Sequence, residues 1–404
     1  MPADGPRALR PNEWDQLDHV VGTVFRPSMF QEYPQLFNEP NVENLRVVAE
    51  GGRVVCHVGM THRPVSLSGC RIDVASIGAV ATLDSHRSKG YASAAFQDAC
   101  AKSARDGIDV MLISGGRGLY TRAGCRVVGL DHDFYLDEAA TSKLASVRPP
   151  GGGSFLLVPL SAEHIPEMSA LYAAEPVRYI RRAEDWEMAF ECRTVMNTAS
   201  DFWGVRLGDP SAGSGGTILV AYVIVHQPAK TRRREGEPPF TRVVEFAGVR
   251  ASVIAALPML RRHYGTEQIR IHAQGSDPIL ARVLRLTTGI SGIDSGFSGT
   301  LRVINFPQLM ERCRPLLAER IGHGAADQMR FESDAPAGSA EGGFTIRRAG
   351  ETVRVNDLAS LAGILFGARK PLEGDTEPTG DESLLRDLRA ALPLPVPWYG
   401  ISYV

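Results

Sequence analysis

Arg87, Ser88, Lys89 and Gly90 stand together just before a stretch whose apolar residues recur at helical spacing, a placement suited to holding phosphate. The start of a helix exposes backbone N–H groups without intrahelical partners and the positive end of the macrodipole. Gly90 lets a phosphate oxygen approach the backbone where a Cβ would stand in the way. The loop lacks the Gly-Lys-Ser/Thr of a Walker motif and the three glycines of the dinucleotide fingerprint. What it carries is Arg-x-x-Gly-x-Ala, on Arg87, Gly90 and Ala92. Alone, such a loop is equally well read as the solvated cap of an amphipathic helix.

The elements around the loop give it context. Ile72 to Thr82 is apolar and β-capable, and Ala92, Ala95, Phe96, Ala99 and Cys100 form one stripe of the following helix while Gln97, Asp98, Lys102 and Arg105 face away. Asp109 to Ile113 (DVMLI) predicts a buried parallel strand, followed by Gly118-Leu-Tyr-Thr-Arg-Ala-Gly124. Upstream, residues 7–12 predict an edge strand and Glu13 to Val24 an amphipathic helix. Residues 45–67 predict a hairpin turning at Gly51-Gly52, where paired glycines supply positive φ. His57 and His62 fall on this hairpin with no carboxylate or cysteine at ligand spacing and are read as structural. The expected fold class is α/β (α+β).

The loop, the buried strand and the segment around Tyr120 resemble the GNAT superfamily of acetyl-CoA-dependent N-acetyltransferases. The resemblance implies that Arg87, Ser88, Lys89, Gly90, Tyr91, Ala92 and Ser93 hold the pyrophosphate of acetyl-CoA, used as co-substrate without a metal. It implies that the strand edge at Val80, Ala81 and Thr82 meets the pantetheine and the oxyanion. Tyr120 corresponds to the family's tyrosine that points at the cofactor sulfur, which makes it the expected general acid. In that family the segment after the first helix walls the acceptor site, so Phe25, Phe30, Tyr33 and Phe37 are candidate substrate contacts; the other reading has them capping the core beneath a loop. Glu32 and Glu39 among these rings suggest a cationic amine, either a small molecule or a lysine side chain.

Further along, Arg148-Pro-Pro-Gly-Gly-Gly-Ser154 cannot hold periodic structure and marks a boundary. Beyond it the order strand, helix, hairpin, strand and helix restarts. At its second strand-to-helix joint only Arg250 separates Val249 from Ala251, so no glycine-containing basic loop is present. From Leu301 the pattern changes to a strand, a helix over Phe306 to Ile321, a hairpin across Ala349-Gly350 and an apolar helix (LASLAGILFGARKP) after Asn356-Asp357. This last part is similar to the sterol carrier protein fold. The expected organisation is an acetyl-CoA-binding GNAT domain at 1–148, a degenerate GNAT-like domain at 154–300, and a sterol-carrier-like α+β domain with a C-terminal arm at 301–404. That order is similar to the "enhanced intracellular survival" acetyltransferases. The similarity implies a ring-like homo-oligomer, such as a hexamer, and a C-terminal carboxylate, that of Val404, inserted into the first domain's active site to assist the attacking amine.

Composition bounds these readings. The chain has 404 residues, 44% hydrophobic and 22% charged, with a formal net charge of −2. That charge gives no electrostatic case for nucleic acid or an anionic membrane. No apolar run reaches the roughly 18–20 residues of a membrane span, and the first residues lack a signal-peptide core, so a cytoplasmic protein is expected. The six cysteines form no CxxC pair and are read as reduced, with no disulfide framework or zinc site. The alternative function, from another class, is a non-catalytic acyl-CoA or lipid-binding sensor on a vestigial acetyltransferase scaffold.

Overall fold

The computed structural model describes residues 3–148, 154–208, 217–339, 341–368 and 376–404. The glycine linker at 149–153, most of the 208–216 insert and the end of the predicted apolar helix at 369–371 lie outside them. The described residues divide into two compact units. One comprises residues 1–129, 296–397 and 403–404; the other comprises 130–295 and 398–402.

The first unit opens with β1 (Asp4–Ala8), α1 (Trp14–Val24), α2 (Met29–Glu32), β2 (Leu45–Glu50), β3 (Arg53–Leu67) and β4 (Cys70–Thr82). It continues with α3 (Tyr91–Arg105), β5 (Val110–Ile113) and α4 (Gly118–Arg122). The sheet runs β1-β2-β3-β4-β5, and Thr300–Val303 follows on the outer edge of β5. The edge strand is shifted from the predicted 7–12, because Asp4 to Ala8 is the segment that pairs with β2. Neighbours in β1 to β4 pair antiparallel, whereas β4 and β5 pair parallel. Helices cover both faces, which is why β2 and β5 are almost wholly buried and read as continuous apolar runs. On one face Ala95, Phe96, Ala99 and Cys100 of α3 pack on Val58, Met60, Ala75 and Ile77. On the other, Leu17, Val20 and Val21 of α1, spaced three and four apart, join Leu36, Phe37, Val47 and Val404.

Two strands fall differently from the sequence expectation. Asp131–Leu136, read as a closing strand of the first domain, pairs antiparallel with Gln268–Ala273 in the second unit's sheet. Thr300–Val303, at the junction of the second and third parts, closes the first unit's sheet instead. Each covers an apolar edge that would otherwise present unpaired backbone. The predicted helix over Phe306 to Ile321 breaks at Cys313 into Phe306–Arg312 and Arg314–Ile321, because Pro315 cannot donate within a helix and begins a new one instead.

The rest of the first unit carries an antiparallel sheet of Arg330–Ser333, Phe344–Arg348, Glu351–Val355 and Thr379–Gly380, with helices Leu358–Phe366 and Glu382–Ala391. The second unit has its own sheet and core. There Val223, Val225 and Val243 pack under Val253, Leu257 and Leu260 of helix Arg250–Tyr264. No described helix is long and apolar enough to cross a membrane.

Candidate active site

The site in the first unit begins where β4 and β5 part. Their pairing runs from Val74 with Val110 to Ile77 with Ile113 and ends with β5 itself. β4 continues to Thr82, so residues 78–82 present an edge that β5 does not cover. The N–H of Leu83 donates to Val55 O at 3.0 Å, so by strand alternation Thr82 turns its own N–H and C=O to the open side. The same alternation gives that orientation to Val80. Ala81 instead faces β3, opposite His57, with its side chain in the core.

Between Gly78 and Ala81 the register slips, with Gly59 opposite Gly78 and His57 opposite Ala81. Two residues of β4, Ala79 and Val80, therefore oppose the single Val58, which is a β-bulge. Ala79 takes a left-handed backbone at φ 50°, and its carbonyl accepts a hydrogen bond from His57 Nδ1 at 2.8 Å. His57 is fully buried, and burial pushes its imidazole down to about 4. Its Nε2 has no hydrogen-bond partner among the described residues.

The basic loop leads into α3. Ser88 and Gly90 both have positive φ, 62° and 81°, and Gly90 is the N-cap with no side-chain cap bond. The first helical bond joins Ala94 N–H to Gly90 O at 3.0 Å, so the N–H groups of Tyr91, Ala92 and Ser93 precede it. Arg87 is largely exposed and pairs with Asp84 at 2.7 Å. Lys89 Nζ donates to Glu50 Oε2 at 2.8 Å, Tyr91 OH donates to the same oxygen at 3.1 Å, and His86 Nε2 lies 3.5 Å from it. Lys89 beside Glu50 holds that carboxyl below the usual range. Glu50, the last residue of β2, holds the loop and was missed in the sequence; its signal there was an acidic residue ending a strand at the Gly51-Gly52 turn.

Tyr120 lies on α4, the short helix after β5, and is 6% exposed. Its ring meets Phe96 edge-on at 5.4 Å, and burial pushes its phenol up to about 12, with Arg117 opposing the rise. Tyr403 is close enough to Tyr120 to add to that rise. The adjoining Val404 is 5% exposed and lies against Gly78. A Cβ on Gly78 would stand 2.7 Å from Val404 O and closer still to its carboxyl carbon. Gln35 Nε2 fixes the arm by donating to Tyr403 O at 2.9 Å. Neither Gly78 nor Gln35 was singled out from the sequence, since each acts through the far end of the chain.

Of the four rings expected near the acceptor, Tyr33 and Phe37 are buried in the cluster that contains Val404. Phe30 stacks on Phe37 at 4.2 Å, and Phe37 lies 5.9 Å from the His57 ring. Tyr33 faces Tyr403 at 6.3 Å, whereas Phe25 is 41% exposed and stands outside that cluster. Glu32 is held by Arg26 and by Ser28 Oγ at 2.5 Å.

In the second unit the corresponding strand-to-helix joint is differently equipped. Arg250 is gripped by Glu175 at 2.8 Å and by Asp277 at 2.5 Å, so carboxylates stand at the helix start. A cavity of about 550 Å³ opens there, walled by Phe246, Val249, Ile279 and Trp398. Trp398 stacks on His272 at 3.9 Å and donates its indole N–H to Val244 O at 2.6 Å. Among the described residues no group of three or more His, Cys, Asp or Glu is placed to hold a metal ion.

Residues 6–128 match the family model described as the acetyltransferase (GNAT) domain. No curated protein matches the sequence. Among solved structures, a GCN5-related N-acetyltransferase from Anabaena variabilis is similar at 17% identity and TM-score 0.65, covering 98% of this chain and 99% of its own. A conserved protein of unknown function from Enterococcus faecalis, described as a probable N-acyltransferase, is similar at 14% identity and TM-score 0.67, with 98% of each chain covered. Eis1 from Mycobacterium abscessus is similar at 14% identity and TM-score 0.61, covering 98% and 99%. At these identities the likeness is one of fold, and it extends over nearly the full length of each. The bulged β4, its parting from β5 and the loop before α3 lie within residues 6–128, the stretch that matches the acetyltransferase (GNAT) domain model.

Proposed function

We propose that this protein transfers an acetyl group from acetyl-CoA to a primary amine by direct attack. The observation that carries the reading is the placement of the last residue. Val404 lies against Gly78, one position beyond the point where β4 leaves β5, and its neighbour Tyr403 bears on Tyr120.

The loop residues Arg87 to Gly90 and the helix-start N–H groups of Tyr91, Ala92 and Ser93 hold the pyrophosphate, and Lys89 exchanges Glu50 for phosphate on binding. The open edge at Val80 and Thr82 meets the pantetheine and the carbonyl oxygen, while Ala81 supports it from the core. The amine nitrogen attacks the thioester carbon, a C–N bond forms, and negative charge moves to the oxygen facing the strand edge. As the C–S bond breaks, Tyr120 donates its proton toward the leaving sulfur. A phenol pushed up to about 12 is a weaker acid than a thiol near 8.5, so donation is concerted with bond breaking. The proton shed by the amine passes through the Val404 carboxylate and water and restores Tyr120. A carboxylate is a far weaker base than an amine, so orienting the amine is the larger part of its role.

Phe30 and Phe37 wall the acceptor side, with Phe25 at its exposed margin and Tyr33 beneath. The acceptor is a small cationic amine or a lysine side chain, and the working assembly is a cytoplasmic homo-oligomer of Eis-like, three-part organisation. A second reading, acyl-chain binding, rests on a cavity of about 280 Å³ under Ile346, Val353, Leu385 and Leu388 in the part similar to sterol carrier proteins. The two are separated by incubating the protein with acetyl-CoA and a panel of amines, detecting thiol release and weighing the products. Amine-dependent release with a 42 Da gain, about the mass of an added acetyl group, supports transfer as the chemistry of a positioned thioester requires. Acetyl-CoA binding without release on any amine would leave the sensor reading.

A further inference from the structure

We infer that His57 is a positioning residue for the acyl-transfer step, acting through the β4 bulge; this rests on the reading under Proposed function. The bulge gives β4 a carbonyl, that of Ala79, which the β3 ladder does not receive in register. Ala79 is half-buried, and a hydrogen bond to its carbonyl is worth about 1 kcal/mol, so a donor there is stabilising. His57 supplies it from the facing strand at 2.8 Å. Because the partner is an oxygen, Nδ1 must carry the hydrogen, which leaves Nε2 as a bare acceptor. Nε2 is buried without a partner among the described residues, a penalty that a leucine would avoid. A histidine in a fully buried, apolar position is therefore accounted for by the bond from Nδ1.

The surroundings hold the ring in that orientation. Its Cε1 lies where a Cβ on Gly59 would come within 2.8 Å, and Phe37 packs 5.9 Å away. Gly59 pairs with Gly78, against which Val404 lies, so the His57 ring and the chain terminus occupy neighbouring glycine positions of the sheet. The Nδ1 bond holds Ala79 at φ 50° and thereby fixes the Val80–Thr82 edge on which the thioester must lie. At neutral pH burial keeps the ring uncharged, so Nδ1 donates as a neutral imidazole N–H.

The test compares wild type with His57→Asn, His57→Leu and His57→Gln. An asparagine amide reaches the place of Nδ1, leucine offers no donor, and a glutamine amide reaches the place of Nε2 instead. His57→Leu and His57→Gln should lose about 10²-fold in kcat, as expected of a misplaced reacting group, with the amine KM within about threefold. His57→Asn should stay within about fivefold of wild type even if it lowers the Tm as much as leucine does. Equal loss in asparagine and leucine, or full turnover in leucine and glutamine, would overturn the inference. If wild type acetylates no amine, the functional reading fails, and acetyl-CoA affinity by calorimetry then decides the role of His57. About tenfold weaker binding in leucine and glutamine but not in asparagine upholds the edge-setting bond, and equal affinities across the set reject it.

Discussion

Replacing Gly78 by alanine puts a methyl group where the last residue sits. The built Cβ comes within 2.7 Å of Val404 O, 3.2 Å of its Cβ, and nearer still to its carboxyl carbon. Ordinary contact begins near about 3.5 Å, so the terminus must withdraw by roughly 1 Å, since Gly78 is locked between β3 and the bulge. A displacement of about 1 Å in a group that orients a reactant costs on the order of 10²-fold in rate. Gly78 is not in the left-handed region, so alanine adds no backbone strain there. Partial exposure of Val404 costs at most about 1.5–2 kcal/mol, a modest Tm shift in a chain of this size. The assay is steady-state transfer to the best amine at saturating acetyl-CoA, with cofactor affinity measured separately. In Gly78→Ala, kcat should fall about 10²-fold and acetyl-CoA affinity should stay within about twofold, with no added loss when the change is combined with deletion of Val404. A Gly78→Ala variant with wild-type kcat would show that the terminus has no part in the reaction.

Arg87→Glu reverses the field at the loop and should weaken acetyl-CoA binding by at least tenfold in calorimetry, whereas equal affinity would place the phosphates elsewhere. Extending the chain by one glycine after Val404 moves the carboxylate while keeping every side chain, and should lower turnover by about 10–10²-fold; full turnover would make the arm structural. Burial pushes His57, His62 and His226 down to about 4. Each is depressed relative to the unfolded value near 6.5, so the unfolded chain binds more protons in between, and stability should fall as pH drops from about 6.5 to 4. Denaturant titrations across that range check this, and His57→Asn should flatten the slope by removing one of the three groups.

The parts of the fold carried by local pattern were legible in the sequence. The α3 stripe, the β2–β3 hairpin at Gly51-Gly52 and the buried run of β5 follow from periodicity and turn chemistry, which act over a few residues. The Arg87–Gly90 loop was legible for the same reason. Strand membership was not: Asp131–Leu136 and Thr300–Val303 look alike as short apolar runs, and the sheet each joins is decided by partners far along the chain. The aromatics after α1 gave no sign of which would be core, because Tyr33 and Phe37 differ from Phe25 only in what they pack against. Glu50 and Gly78 escaped notice and His57 was read as structural, because their roles come from contacts with Lys89, Val404 and the Ala79 carbonyl, none of which is set by spacing.

The most direct test of acyl transfer in the first unit is a comparison of wild type with Tyr120→Phe, which removes one hydroxyl from a ring already packed on Phe96. Measured between about pH 6 and 10, where a phenol pushed up to about 12 stays protonated, wild type should show rate rising with amine deprotonation and no falling limb from Tyr120. The variant should keep the acetyl-CoA affinity of wild type and lose about 10²–10⁴-fold in kcat at every pH, the range expected for a positioned general acid. Equal kcat in the two proteins would contradict the account.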